Sequence, residues 1–234
     1  KTEGEFLERV RHMAVIAKTS LEIKRKIVEA QSERGLYPYS THYLRGVKER
    51  TGEYWSNHFN TIGIVGMNEA CLNFMGKDIS TPEGQEFTIR VMNYMREIMV
   101  EFQKETGHMY NLEATPAEGT SYRLALLDKK YYPGIITAGE DDVYYTNSCL
   151  LYTSDAADDI METVRLQDEI QSLFTGGTVQ HLYLGESVKD INAAKKLIKK
   201  IFETSKMPYI SITPTFSVCP NHGYIDGEHF TCPE

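Results

Sequence analysis

The sequence predicts an α/β fold. Three observations carry that expectation: short β-branched apolar runs closed by glycine or polar turns, helical periodicity between those runs, and an ordinary globular composition over 234 residues. Hydrophobic residues make up 41% of the chain and charged residues 25%, enough for a sizeable buried core. Buried strands separated by helices are the pattern of parallel βα units. Periodicity alone fits a barrel and a doubly wound sheet.

From Glu5 to about Glu33, Phe6, Val10, Ala14 and Ala17 fall near one helical face, and Gly35 supplies a stop. Residues 36–59 are aromatic and polar and read as a long loop. Thr61 to Gly66 is a β-branched run that reads as a buried strand. Thr81-Pro82 opens a second long helix, with Thr as N-cap and Pro at the first helical position, running through Phe87, Val91, Met95 and Ile98 to Gly107. Met109 to Thr115 then reads as a strand, Tyr122 to about Lys130 as a short helix, and Val143 to Thr146 as a strand. Asp159 to Phe174 is an amphipathic helix, Thr178 to Leu184 a strand, Val188 to Thr204 a helix with lysines on its outer face, and Tyr209 to Thr213 a strand. Repeats and low-complexity linkers are absent, so one α/β body with a small appendix from Cys219 is expected.

The net charge of −8, with no basic patch, argues against a protein that grips a nucleic-acid backbone. Small phosphorylated ligands remain compatible, because backbone amides hold phosphates without a positive total. No apolar run is long enough to cross a bilayer and no signal peptide opens the chain, so a cytoplasmic protein without a membrane partner is expected. Lys1 opens the chain and Cys232-Pro233-Glu234 stops inside a motif, so both ends are expected to be cuts. Disulfides are not expected among Cys71, Cys149, Cys219 and Cys232. Cys71 lies in an apolar helical stretch and reads as a small buried residue.

Four motifs carry candidate chemistry. In Asn111 to Ala125 a strand runs into a Pro/Gly/Thr/Ser turn that opens a helix. Free N–H groups at a helix start attract anions, which makes Ala117, Glu118, Gly119, Thr120 and Ser121 a candidate phosphate site. The alternative is a plain turn in which Thr120 or Ser121 caps the helix, and the charge of Glu118 weighs against phosphate. Gly176-Gly177 before a strand either admits close approach of chain or ligand or ends a helix, and His181 beyond it reads as a hydrogen-bonded core residue. Tyr145-Thr146-Asn147-Ser148 are polar residues at a strand end, where α/β folds collect ligands and where ordinary turns also form. Finally, Cys219 and His222 form a C-x-x-H knuckle followed by Gly223, and Cys232 starts a second knuckle. That is half of a zinc-ribbon pattern, with Cys219, His222 and Cys232 as ligands. His229 fits the spacing less well, and the fourth ligand falls beyond Glu234.

In this order the blocks YNLEATPAEGTSYRLA, YYTNS, FTGGTVQHLYLGE and PYISITPTFSVCPNHGYIDGEHFTCPE, preceded by FNTIGIVGMNEACLNFMG, resemble the anaerobic, glycyl-radical ribonucleoside-triphosphate reductases over nearly the whole chain. The resemblance implies the second half of a ten-stranded α/β barrel of the glycyl-radical enzyme type, with residues 1–217 in the partial catalytic barrel and 218–234 in a truncated C-terminal zinc ribbon. It implies reduction of ribonucleoside triphosphates by a thiyl radical generated from a glycyl radical. It further implies a radical-SAM iron–sulfur activating protein that makes the glycyl radical, formate or a thiol as reductant, and a homodimer when the enzyme is intact. The thiyl cysteine would lie upstream of Lys1 and the glycyl residue downstream of Glu234, so no residue here is assigned a catalytic role and the fragment is expected to be inactive alone. By the same resemblance, the turn from Ala117 to Ser121 holds substrate phosphates. Two alternatives stand beside it: another glycyl-radical enzyme acting on a small acid, and a non-catalytic zinc-dependent interaction module. Half a barrel exposes sheet edges, which predicts poor solubility in isolation.

Cys149 to Ala157 departs from the family pattern, which resumes at Asp158 without a change of length. A sequencing or assembly artefact is expected there, so Cys149 carries no functional weight.

Overall fold

In the computed structural model the described residues are 2–139, 142–147, 160–184 and 190–233. Ser148, the Cys149–Ala157 departure, Asp159 and Val188 lie outside them. In chain order the elements are α1 (Glu3–Glu33), α2 (Pro38–Thr51), β1 (Asn60–Ile64), α3 (Met67–Met75), α4 (Pro82–Thr106), β2 (Tyr110–Ala114), α5 (Glu118–Tyr131), α6 (Ile160–Ser172), β3 (Gln180–Tyr183), α7 (Ile191–Thr204), β4 (Ile210–Thr213), β5 (Phe216–Cys219) and β6 (Gly223–Asp226). They fall into two compact units. The first holds Lys1–Ile64, Arg90–Glu113 and Phe174–Gly177, and the second holds Val65–Ile89, Ala114–Leu173 and Thr178–Glu234.

In the first unit α1 starts with a capping box. The Thr2 hydroxyl accepts the Glu5 N–H at 3.3 Å and the Glu5 carboxylate accepts the Thr2 N–H at 2.8 Å. The loop expected over 36–59 is corrected by α2. Pro38 occupies its first turn, Lys48 and Arg50 favour its carbonyl end, and Gly52 closes it in the left-handed region at φ 85°. Those signals lay inside an aromatic, polar composition that masks a helix burying only Val47. β1 pairs with β2. Arg25 on α1 then ties down the chain entering β1, donating to the carbonyls of Trp55 at 2.6 Å and His58 at 2.5 Å and to the Asn60 side chain.

Glu22 on α1 gathers the strand starts. Its carboxylate accepts the Tyr110 hydroxyl at 2.6 Å and the Asn60 amide at 2.8 Å, and it lies 2.8 Å from His108 Nδ1. Burial alone would raise the Glu22 pKa, but the hydrogen bonds from Tyr110 and His108 outweigh it and hold the carboxyl below its usual range. The same burial and carboxylate push Tyr110 up to about 12.

The second unit contains the predicted βα arrangement. β3 and β4 are parallel, in register from Gln180 opposite Ile210 to Tyr183 opposite Thr213, and α7 is the intervening helix. Val164, Leu182, Ile201 and Met207 form the buried cluster beneath them. The entry to α4 follows its sequence signals, with the Thr81 hydroxyl accepting the Gly84 N–H at 3.1 Å. A Cβ on Gly84 would lie 2.1 Å from the Asp78 carbonyl oxygen, so glycine is required by the close approach of backbone. Cys71 is fully buried, and burial raises its thiol pKa, as befits a core residue.

Two expectations are corrected here. Val143–Thr146 is no strand. Its region makes one isolated antiparallel bridge, Ala138 with Tyr144, because the next backbone groups bond to side chains instead. α5 starts one turn before Tyr122, so Gly119, Thr120 and Ser121 of the Pro/Gly/Thr/Ser turn lie in the first turn of the helix.

Glu22→Gln is expected to destabilise the protein by about 1–3 kcal/mol at neutral pH. A depressed folded-state pKa gives stability that is present above the ordinary value of 4.5 and lost as pH falls through the folded value. Urea titrations at falling pH should therefore show the gap closing below that value. Gly84→Ala should cost about 1–3 kcal/mol through overpacking, read as a lower melting temperature.

Candidate functional site

The candidate site is built on the first turn of α5. Ala117 is its N-cap and no side chain caps it. Neither Thr120 nor Ser121 plays the capping role, so the first N–H groups of the helix stay available to an anion. An open depression of about 590 Å³ lies over this turn, lined by Ala117, Glu118, Gly119 and Thr120, with Arg123, Leu124 and Leu127. Glu118 is exposed at the first helical position. It satisfies part of the helix dipole and competes with a bound anion. Arg123 supplies a cation on the same face.

Ser121 differs from its neighbours. It is fully buried, and its hydroxyl donates to the Tyr145 carbonyl and accepts the Tyr145 N–H at 3.1 Å. The next residue is held from α3: Glu69 accepts the Thr146 N–H at 3.0 Å and the Thr146 hydroxyl at 2.6 Å, and the Gly66 N–H donates to the Thr146 carbonyl at 2.7 Å. Gly66 has φ 78°, and a Cβ there would lie 3.3 Å from the Tyr145 ring. The Tyr145 hydroxyl donates to Asp128 at 2.7 Å, and burial together with that carboxylate raises its pKa well above the usual phenol value.

The second cluster lies at the β5–β6 hairpin. β5 and β6 are antiparallel, and Gly223 turns the chain at φ 78°, as the knuckle pattern requires. Cys219, His222 and Cys232 place one ligand atom each within 4.8 Å of one another, the one such grouping of potential metal ligands among the described residues. His222 Nδ1 lies 3.6 Å from Cys219 Sγ and 3.1 Å from Cys232 Sγ. The backbone N–H groups of Asn221 and His222 hold the Cys219 thiol below its usual pKa, toward the thiolate that binds metals. His229 is outside the group, and its N–H bonds to the Ser217 hydroxyl at 2.7 Å. Two sulfurs and an imidazole suit three corners of a tetrahedral zinc site.

A sequence model of the family described as anaerobic ribonucleoside-triphosphate reductase matches residues 1–234. The chain belongs to that family. It is 24% identical over 251 residues to the anaerobic ribonucleoside-triphosphate reductase of Haemophilus influenzae, covering 100% of this chain and 34% of that protein. A solved anaerobic ribonucleotide reductase superposes with a TM-score of 0.77 at 25% identity, covering 99% of this chain and 35% of the other. The Thermotoga maritima anaerobic ribonucleotide reductase, solved in complex with dATP and CTP, gives a TM-score of 0.73 at 23% identity over 97% of this chain and 36% of its own. The mixed α/β fold is thus similar to part of the anaerobic ribonucleotide reductase structures, and the chain spans about a third of the length of these reductases.

Other features that the sequence singled out in this family member have structural roles. A Cβ on Gly176 would lie 3.0 Å from the Asn111 side chain, and one on Gly177 3.1 Å from Glu113 Oε1, so the pair serves close approach to β2. Thr175 and Gly176 donate to the Leu112 carbonyl, and the Thr175 hydroxyl accepts the Leu112 N–H at 2.9 Å. His181 is hydrogen-bonded across the parallel pair, its Nδ1 2.6 Å from the Ser211 hydroxyl. Arg123 and Glu69 escaped sequence reasoning. Arg123 had a usable signal, lying one helical turn beyond Thr120. Glu69 had none, because its partner is 77 residues away.

Proposed function

We propose that this chain is part of the catalytic body of an anaerobic, glycyl-radical ribonucleoside-triphosphate reductase, forming the second half of its ten-stranded barrel and the start of a zinc ribbon. The observation that carries the reading is the family match over residues 1–234 on a chain whose α5 turn is uncapped and open. In this reading the amides of Glu118, Gly119 and Thr120 and the guanidinium of Arg123 hold the substrate triphosphate, with the Thr120 hydroxyl as a further donor. Preorganised donors at a helix start bind an anion without reorganising. Ser121 holds the turn from inside. The radical residues belong to other parts of the enzyme, which works as a homodimer charged by a radical-SAM activating protein and is reduced by formate or a thiol. Among the described residues no helix is long and apolar enough to cross a membrane.

Cys219, His222 and Cys232 would hold zinc, with a fourth ligand from elsewhere in the polypeptide. Bound there, zinc supplies a structural cross-link, fixing the β5–β6 hairpin to the segment carrying Cys232.

In the full-length protein, Thr120→Val combined with Arg123→Ala should raise the KM for ribonucleoside triphosphate about tenfold or more, the effect of losing a charge-assisted contact. An unchanged KM sinks the phosphate assignment. Elemental analysis of the same protein should find near-stoichiometric zinc that disappears in Cys219→Ser or Cys232→Ser. A folded, zinc-free wild type would rule out the ribbon.

A further inference from the structure

The phosphate reading leaves Glu69 and Thr146 without a part. We propose that they are positioning residues for the α5 phosphate turn, acting through the Tyr145 backbone and Ser121; the role rests on that turn being the phosphate site.

Glu69 is 1% exposed, and its carboxylate faces hydroxyl and amide hydrogens rather than a cation. A buried carboxylate is tolerated only where such hydrogen bonds satisfy it, so both bonds to Thr146 are tightly specified. The Gly66 N–H takes the remaining backbone group of Thr146, at 2.7 Å. Both backbone groups of Thr146 are thereby fixed to the start of α3. Both backbone groups of its neighbour Tyr145 are fixed to Ser121. The Ser121 N–H closes the first turn of α5 onto Ala117 O at 2.8 Å. A continuous run of bonds therefore leads from Glu69 to the amides that would face a phosphate. Asp128, further along α5, takes the Tyr145 hydroxyl at 2.7 Å and adds a second anchor on the same helix.

Close packing sets the Tyr145 ring against Gly66 but leaves one side of the segment open. An open depression of about 280 Å³ lies against this segment, lined in part by Glu69, Asn73, Leu124, Asp128 and Tyr145. On that open side, directional bonds help set where the dipeptide sits and, through it, where α5 begins. Anion binding by backbone amides depends on their direction, so small displacements of this turn change affinity.

The test uses the full-length protein carrying Thr146→Val, which keeps the side-chain shape and removes the hydroxyl that Glu69 accepts. Two readouts are measured: calorimetric affinity for inorganic tripolyphosphate, and KM and kcat for CTP. Thr146→Val should weaken tripolyphosphate binding and raise KM about five- to tenfold while kcat changes little, as expected for loss of one hydrogen bond to a charged group. Thr146→Ser should restore both. Glu69→Gln, which keeps one acceptor, should fall between. A merely structural role would lower the folded fraction, and with it apparent kcat, without moving KM. Wild-type affinity and KM in Thr146→Val, or no rescue by serine, overturns the positioning role alone. A wild-type protein that fails to bind tripolyphosphate overturns the phosphate reading, and this role with it.

Discussion

The arrangement around the candidate site depends on one requirement: the backbone groups of Tyr145 and Thr146 have no ladder partner and still must be paired. Ser121 satisfies Tyr145, while Glu69 and Gly66 satisfy Thr146. Each partner comes from the beginning of a helix that follows a strand, Gly66 at the entry to α3 and Ser121 in the first turn of α5. The dipeptide thus links two helix starts. Its bonds to Ser121 and Glu69 are side chain to backbone, and only the Gly66 N–H meets it backbone to backbone, which gives the region a geometry that a regular strand would not provide. The glycine at 66 is part of the same device, since it supplies both a left-handed turn and room for the Tyr145 ring.

The two candidate ligand sites use different physics. At α5 the candidate binding groups are backbone amides left over by helix geometry, and the field they would offer an anion is local. A net charge of −8 is therefore no obstacle to an anion at such a site. At the β5–β6 hairpin the candidate ligands are side chains, brought together by a knuckle that glycine allows to turn sharply. The first kind of site needs a well-placed helix and is sensitive to what holds that helix. The second needs only short-range chain geometry and closes fully when an ion supplies the cross-link.

Family membership rests on the whole chain rather than on either site. The matching fold is seen over nearly all of this chain but over about a third of each relative. Long helices such as α4, with Phe87, Met92 and Ile98 wholly buried, provide the frame. The turns between elements carry the groups with chemical potential, as is general for α/β proteins.

The sequence by itself determined the α/β class, the long helices α1 and α4, the parallel β3–β4 unit and the knuckle cysteines and histidine. Each rests on short-range signals: apolar periodicity, the Thr81-Pro82 cap, and ligand spacing around Gly223. The helix from Pro38 to Thr51 was written in the same local language, with Pro at its start and Gly52 at its end, but too few buried apolar side chains made its period audible. Only the tertiary structure decided that Val143–Thr146 would not form a strand, that Ser121 would turn inward while Thr120 stayed open, and that Glu69 would be buried. Those outcomes turn on pairing between groups 24 and 77 residues apart. A buried polar group takes whichever partner the fold brings within reach, and no local pattern in the chain records which one that is.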